Sequence, residues 1–182
     1  MPALKTMLAD YSGFLVACYS QHPLVPQLKD LPNIKHHKKP VTGIFEASLS
    51  TSLQLIHPRQ TVGIVTTGKV WESILTEATE YFLGAADSKR FSGVETTGLN
   101  AGDLHDAPHE EVERRMKEAT KRLLRKGDVG AICLGCAGMA GLGEMVRDAC
   151  VEEKGEEGKL VRVVDGVVAG VAWLEGVLRT DF

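Results

Sequence analysis

The sequence predicts an α/β fold, and three observations predict it. Short β-branched runs alternate with amphipathic helical stretches along the 182 residues, which is the pattern of a parallel sheet wrapped by helices. Several of those runs are apolar almost throughout, as strands buried on both faces must be. The composition, 43% hydrophobic and 25% charged, is close to the globular average and excludes disordered, collagen-like and coiled-coil chains. A chain of this length buries about two thirds of its unfolded surface, in one sizeable domain or two small lobes, and needs no covalent staples.

The elements follow in order. Ala3 to Ala9 reads as a short helical segment that leads at once into the strand Phe14 to Cys18. An α/β domain ordinarily opens on a buried strand, so this start carries the expectation that relatives have something before it. Val41 to Ile44 is a weaker strand, and Phe45, Leu49, Leu53 and Ile56 then fall near one helical face. Thr61 to Thr66 is a strand, followed by a helix with Trp71, Leu75, Ala78 and Phe82 on one side. After the strand Val94 to Leu99, Asp106 can cap a helix that has Pro108 in its first turn and ends at Gly127. Its Glu110/Arg114, Glu111/Arg115, Glu113/Lys117 and Glu118/Arg122 spacings suit ion pairs on a wet surface. Val129 to Leu134 is a strand, and the glycine-rich turn Gly135 to Gly141 feeds a helix carrying Met145 and Val146. Glu152 to Lys159 reads as a solvated loop and Leu160 to Val164 as the last strand. Asp165 caps a closing helix, Gly166 to Leu178, whose apolar composition predicts burial.

Charge narrows the partners. Lys and Arg number 21 against 24 Asp and Glu, a formal charge of -3, with no basic stretch beyond His36 to Lys39, so a nucleic-acid partner is not expected. No window reaches the roughly 18 apolar residues of a spanning helix. Met1 to Asp10 lacks the apolar core of a signal peptide, so neither membrane nor secretion is expected and the chain reads as cytoplasmic. Four cysteines are too few for a disulfide framework and in a reducing compartment are thiols, ligands or catalysts.

Two of the four stand where chemistry is expected. Cys18 ends an apolar strand and is followed by the polar turn Tyr19-Ser20-Gln21-His22-Pro23, and Cys136 occupies the equivalent place after the strand ending at Leu134. In open α/β sheets ligands bind beyond the carboxyl ends of strands, where helix N-termini present free N–H groups that also stabilise a thiolate. A free cysteine is also commonly a small buried hydrophobe. Cys133-Leu134-Gly135-Cys136 has the spacing of a redox or zinc pair, but there is no second such pair; Cys133 is better explained by the strand core and Cys150 by packing. His22, four residues after Cys18, admits a cysteine–histidine dyad. Thr66 and Thr67, before Gly68, admit an anion or carbonyl site or a plain turn.

The stretches Val16-Ala17-Cys18-Tyr19-Ser20, Pro40-Val41-Thr42-Gly43-Ile44-Phe45-Glu46-Ala47, Val65-Thr66-Thr67, Leu134-Gly135-Cys136-Ala137-Gly138-Met139-Ala140-Gly141 and Val164-Asp165-Gly166-Val167-Val168-Ala169-Gly170, in that order, resemble the Asp/Glu/hydantoin racemase family. The Gly-Cys-Ala-Gly-Met stretch is most similar to its hydantoin and allantoin racemase branch. The resemblance implies two pseudo-symmetric α/β lobes with an active-site cleft between them, residues 1–58 with 161–182 against 59–160. It implies Cys18 and Cys136 as the catalytic pair of a racemase acting on a five-substituted hydantoin or allantoin-like cyclic ureide. Inversion of a carbon without a cofactor or metal needs a base on one face and an acid on the other, and two cysteines supply both. Main-chain N–H groups near Tyr19, Ser20, Ala137 and Gly138, with Thr66 or Thr67, are the candidate substrate-binding groups for the enolate oxygen.

Two departures stand out. Bacterial family members usually follow the first cysteine with Gly-Asp-Pro-Gly, where this chain has Ser20-Gln21-His22-Pro23. Family members also open with a strand and an Asn-Pro-Asn-Ser/Thr loop that this sequence does not show, so an incomplete first lobe and a homo-oligomer that covers it are expected. The competing readings are a racemase-fold remnant that binds ligand or oligomerises without turnover, and a maleate isomerase or decarboxylase relative, the decarboxylase being disfavoured by the second thiol.

Overall fold

Six parallel strands organise residues 8–180, the part of the chain described by this computed structural model. β1 (Phe14–Val16) pairs with β2 (Val41–Gly43), Phe14 opposite Val41. The other four, β3 (Thr61–Thr66), β4 (Phe91–Thr96), β5 (Val129–Leu134) and β6 (Arg162–Asp165), form one sheet in the order β4-β3-β5-β6. All six residues of β5 are buried, which is why its sequence is a continuous apolar run. The α/β class and its parallel sheets wrapped by helices are therefore as expected. Of the expected helical segment Ala3 to Ala9, residues 3–7 lie outside the described residues; Leu8 to Asp10 form a turn.

The helices are α1 (Leu24–Lys29), α2 (Pro32–His36), α3 (Ile44–Leu55), α4 (Val70–Leu83), α5 (Asp103–Asp106), α6 (His109–Leu124), α7 (Gly143–Lys154) and α8 (Gly166–Leu178). They seal three main hydrophobic clusters. Met116, Leu123, Ile132, Met139 and Val146 fill the side under α6 and α7, Phe45, Leu49, Ile64, Leu75 and Ala131 the side under α3 and α4, and Val16, Val25, Leu28, Ile34 and Val41 the space around the small sheet. Each large side chain so buried contributes about 1.5–3 kcal/mol. None of the described helices is long and apolar enough to cross a membrane.

Several boundaries differ from expectation, each for a local reason. β4 ends at Thr96 rather than Leu99, because the chain bends at Gly98, where φ is 76°, with the Thr97 and Gly98 N–H groups held by the carbonyls of Thr66 and Thr67 at the end of β3. Asp106 closes the short α5 instead of capping the next helix, and Pro108, extended, precedes α6, which stops at Leu124. On α6 the Glu111–Arg115 and Glu113–Lys117 pairs form, while Arg114 bridges Glu111 and Glu118 and Arg122 reaches across to Glu95 on β4. The expected loop from Glu152 to Lys159 is helical. α7 runs on through Lys154, with Glu152 held by Lys117 and Lys121 and Glu153 by Arg125, and a 3-10 turn, Gly155–Leu160, follows.

The closing helix α8 has the expected bounds and cap, Asp165 accepting from the N–H groups of Val167 and Val168, but it is not mostly buried. Only Gly166, Ala169 and Gly170 are, because the small residues face the rest of the molecule, Gly170 lying against Leu15 of β1; Val168 stays 65% exposed. β6 extends the four-stranded sheet beside β5, and α8 packs on β1, β2 and α3.

Candidate active site

The parallel strands end on one side, and their carboxyl ends build the site. After Val16 the chain leaves β1 with Cys18 exposed and Tyr19 turned inward, 4% exposed. The Tyr19 ring meets Phe45 edge-on, centroids 5.6 Å apart, and its hydroxyl lies 2.9 Å from the Ser48 hydroxyl. The tyrosine thus anchors the turn from below and leaves its neighbour Cys18 outside the core, with Sγ 3.6 Å from the Ser20 hydroxyl. Burial pushes the Tyr19 hydroxyl well above its ordinary pKa, so it stays a neutral hydrogen-bonding group.

The second thiol is set by β5. Gly135 donates its N–H to the Val65 carbonyl at 2.7 Å, and its carbonyl accepts the Thr66 hydroxyl at 2.6 Å. A side chain at Gly135 would meet Ile64 Cγ2 at 2.7 Å and the Val65 carbonyl at 2.9 Å, so only glycine permits this approach. Cys136 follows in extended conformation and opens the 3-10 turn Ala137–Met139.

Cys18 and Cys136 line the same cavity, of about 280 Å³, with Ala17, Tyr19, Thr67 and Ala137. Of the other expected binding residues, Thr66 is fully buried with its hydroxyl committed to Gly135, and it does not line the cavity; the neighbouring Thr67 does. Ser20 and Gly138 flank the two thiols without lining it, Gly138 lacking a side chain that would come within 3.6 Å of Cys136 Sγ. Gly68, Val70, Trp71, Asn100, Ala101 and Gly135 complete the wall, none of them among the expected binding residues. The strand-end rule that located the cysteines applies equally to Asn100, directly after the apolar run ending at Leu99.

The remaining candidates lie elsewhere. Cys133 is fully buried on β5 with Sγ 3.2 Å from the Ser52 hydroxyl, and burial raises its pKa. Cys150 is buried too and pushed up to about 11 by desolvation. The Cys133-x-x-Cys136 spacing therefore joins a core thiol to a cavity thiol. His22 accepts the Leu24 N–H at Nδ1, 3.1 Å, and lines a separate cavity with Lys29, Glu46 and Tyr81, which removes the cysteine–histidine dyad. A larger cavity, about 650 Å³ and flanked by Gln54, Arg147, Val168 and Trp173, contains neither strand-end thiol.

The model of the Asp/Glu/hydantoin racemase family matches residues 1–174, and the chain belongs to that family. It is 36% identical over 169 residues to an uncharacterized protein of Schizosaccharomyces pombe, covering 93% of this chain and 64% of that one. It is 29% identical over 166 residues to a hydantoin racemase of a Pseudomonas species, covering 91% of this chain and 58% of the relative. The crystal structure of allantoin racemase from Pseudomonas fluorescens superposes with a TM-score of 0.72 at 26% identity, over 98% of this chain and 68% of that one. The chain thus spans about three fifths of the length of these two curated relatives.

Proposed function

We propose that this chain carries the proton-transfer site of a cofactor-independent racemase that inverts C5 of a five-substituted hydantoin or allantoin-like cyclic ureide. The carrying observation is that two thiols from strand ends far apart in sequence line one small cavity. The thiolate of one cysteine takes the C5 proton; the C–H electron pair moves onto the adjacent ring carbonyl as an enolate. The other thiol returns a proton to the opposite face, leaving the roles exchanged for the next turnover. The C5 hydrogen is acidified by the ring itself, so the step asks of the protein only two thiols and donors to the enolate oxygen, for which Thr67 and the main chain around Ala137, which line the cavity, are the candidates.

The lining also bears on substrate class. No Asp, Glu, Lys, Arg or His is among the residues lining the cavity, which suits an uncharged ring better than a zwitterionic amino acid, whose charged groups would need partners. Family membership and the likeness to an allantoin racemase support the same reading.

Proton exchange tests it. An enantiopure five-substituted hydantoin in heavy water should gain deuterium at C5 and lose optical rotation. Cys18→Ser and Cys136→Ser should each lower racemisation by about a hundredfold to ten-thousandfold, while either variant can still exchange one enantiomer, and Cys133→Ser should keep most turnover. A folded wild-type chain that leaves C5 untouched would sink the proposal in favour of a ligand-binding racemase-fold module.

A further inference from the structure

The polar inventory of the cavity is short. The Tyr19 hydroxyl is engaged with Ser48, the two thiols are assigned to C5 and Thr67 to the enolate oxygen, and Trp71 brings a single indole donor. Asn100 differs: its side-chain amide makes no hydrogen bond among the described residues, leaving one acceptor and two donors open at the cavity rim.

The loop that carries it is held in place. The Thr97 and Gly98 N–H groups donate to Thr66 and Thr67 at 2.8 and 3.1 Å, and the Leu99 N–H donates to the Thr97 hydroxyl at 3.2 Å. The main-chain N–H of Asn100 itself donates to Asp103 Oδ2 at 2.7 Å. Below the amide lies Gly68, where a side chain would touch Asn100 Oδ1 at 4.0 Å; without one, the space stays open to a ligand. A carboxamide on a fixed loop, free to bond and lining the thiol cavity, is a recognition group without a protein partner among the described residues.

With C5 held at the thiols, the bond across a hydantoin ring from C5 is C2–N3. That edge presents a carbonyl beside an N–H, the pattern that a carboxamide meets with two antiparallel hydrogen bonds. We infer that Asn100 is a specificity-determining residue that pairs with the C2 carbonyl and N3–H edge of the ureide ring. The inference rests on the cyclic-ureide reading and adds to it the residue that tells a ureide from a ring lacking that edge.

Calorimetric titration with 5-methylhydantoin and its N3-methyl derivative tests the pairing, using wild type, Asn100→Ala and the near-isosteric, acceptor-only Asn100→Asp. N3-methylation should weaken binding to the wild type by about tenfold or more, and each substitution should weaken binding of the unmethylated ring by a similar factor. Methylation and Asn100→Ala together should cost little more than either alone, because both remove the same pair. Equal binding of the two rings by the wild type, unchanged binding by Asn100→Ala, or no binding of either ring overturns the assignment. C5 exchange on the same samples reports separately: discrimination at N3 without exchange removes the racemase reading and leaves Asn100 assigned as a ureide contact.

Discussion

At the scale of single residues, burial separates the four thiols into two kinds. Cys18 is exposed and Cys136 partly so, whereas Cys133 and Cys150 are shut in the core, where desolvation raises their pKa. Iodoacetamide near pH 8 should therefore modify Cys18 and Cys136 in the folded chain, and Cys133 and Cys150 slower by about two orders of magnitude. Mass spectrometry of the labelled peptides reads this directly, and comparable labelling of all four would contradict the burial described. The two cavity cysteines were readable in the sequence because each ends an apolar run and is followed by polar or glycine-rich residues. The choice between Thr66 and Thr67 was not. Neighbours at a strand end point to opposite sides, and which of them meets the cavity depends on the pairing of β3 with β5, fixed by residues distant in sequence.

At the scale of elements, α3 and the turn after β5 carry the testable features. Glu46, third residue of α3, folds back over Gly43 in the space a side chain there would fill, and its Oε2 is buried without a partner. Burial raises its pKa above the ordinary value despite nearby Lys29 and His22. The folded chain therefore holds this proton more tightly than the unfolded one, and stability at this position falls as pH rises from the ordinary carboxylate value to the raised one. Glu46→Gln should raise stability at pH 7 by about 0.5 kcal/mol, a figure discounted because the carboxylate is partly solvated. In thermal melts the gain should vanish at acid pH, where Glu46 is itself neutral; a gain that persists there would point to packing instead. At the other element, Gly135→Ala forces a methyl group against Ile64 and the Val65 carbonyl and should cost about 1–3 kcal/mol by urea unfolding; on the proposed reading, C5 exchange should fall with it, since Cys136 follows directly on this turn. Strand positions were readable from β-branched apolar runs, and β3 and β5 match to the residue. Ends set by long-range bonds were not, as at Thr96 and at the ion-paired end of α7.

At the scale of the whole molecule, the two sheets are unequal. β5 lies inside a four-stranded sheet with both faces covered, while β1 and β2 offer three residues each in a two-stranded pair, and small isolated pairs are marginal. Amide exchange should be slowest in β5 and faster by about a hundredfold in β1 and β2; uniform protection measured by mass spectrometry would show the molecule opening as one unit. The exposed side of α8 offers a second check. Val168→Lys should leave stability within about 0.5 kcal/mol, and a larger loss would mean that something covers this face in solution. The α/β class was evident from apolar runs alone, because parallel strands buried on both faces leave no alternation to obscure them. The burial of α8 was misjudged, since composition does not say that glycine and alanine rather than valine and tryptophan face inward. The uncharged lining of the cysteine cavity also governs how a molecule arrives there. Among the described residues no Asp, Glu, Lys, Arg or His stands at its walls to focus a field, and an uncharged ring would itself feel little electrostatic steering. On the proposed reading, association of a neutral ring there should change little with ionic strength, and stopped-flow binding of a hydantoin across a salt series would check it.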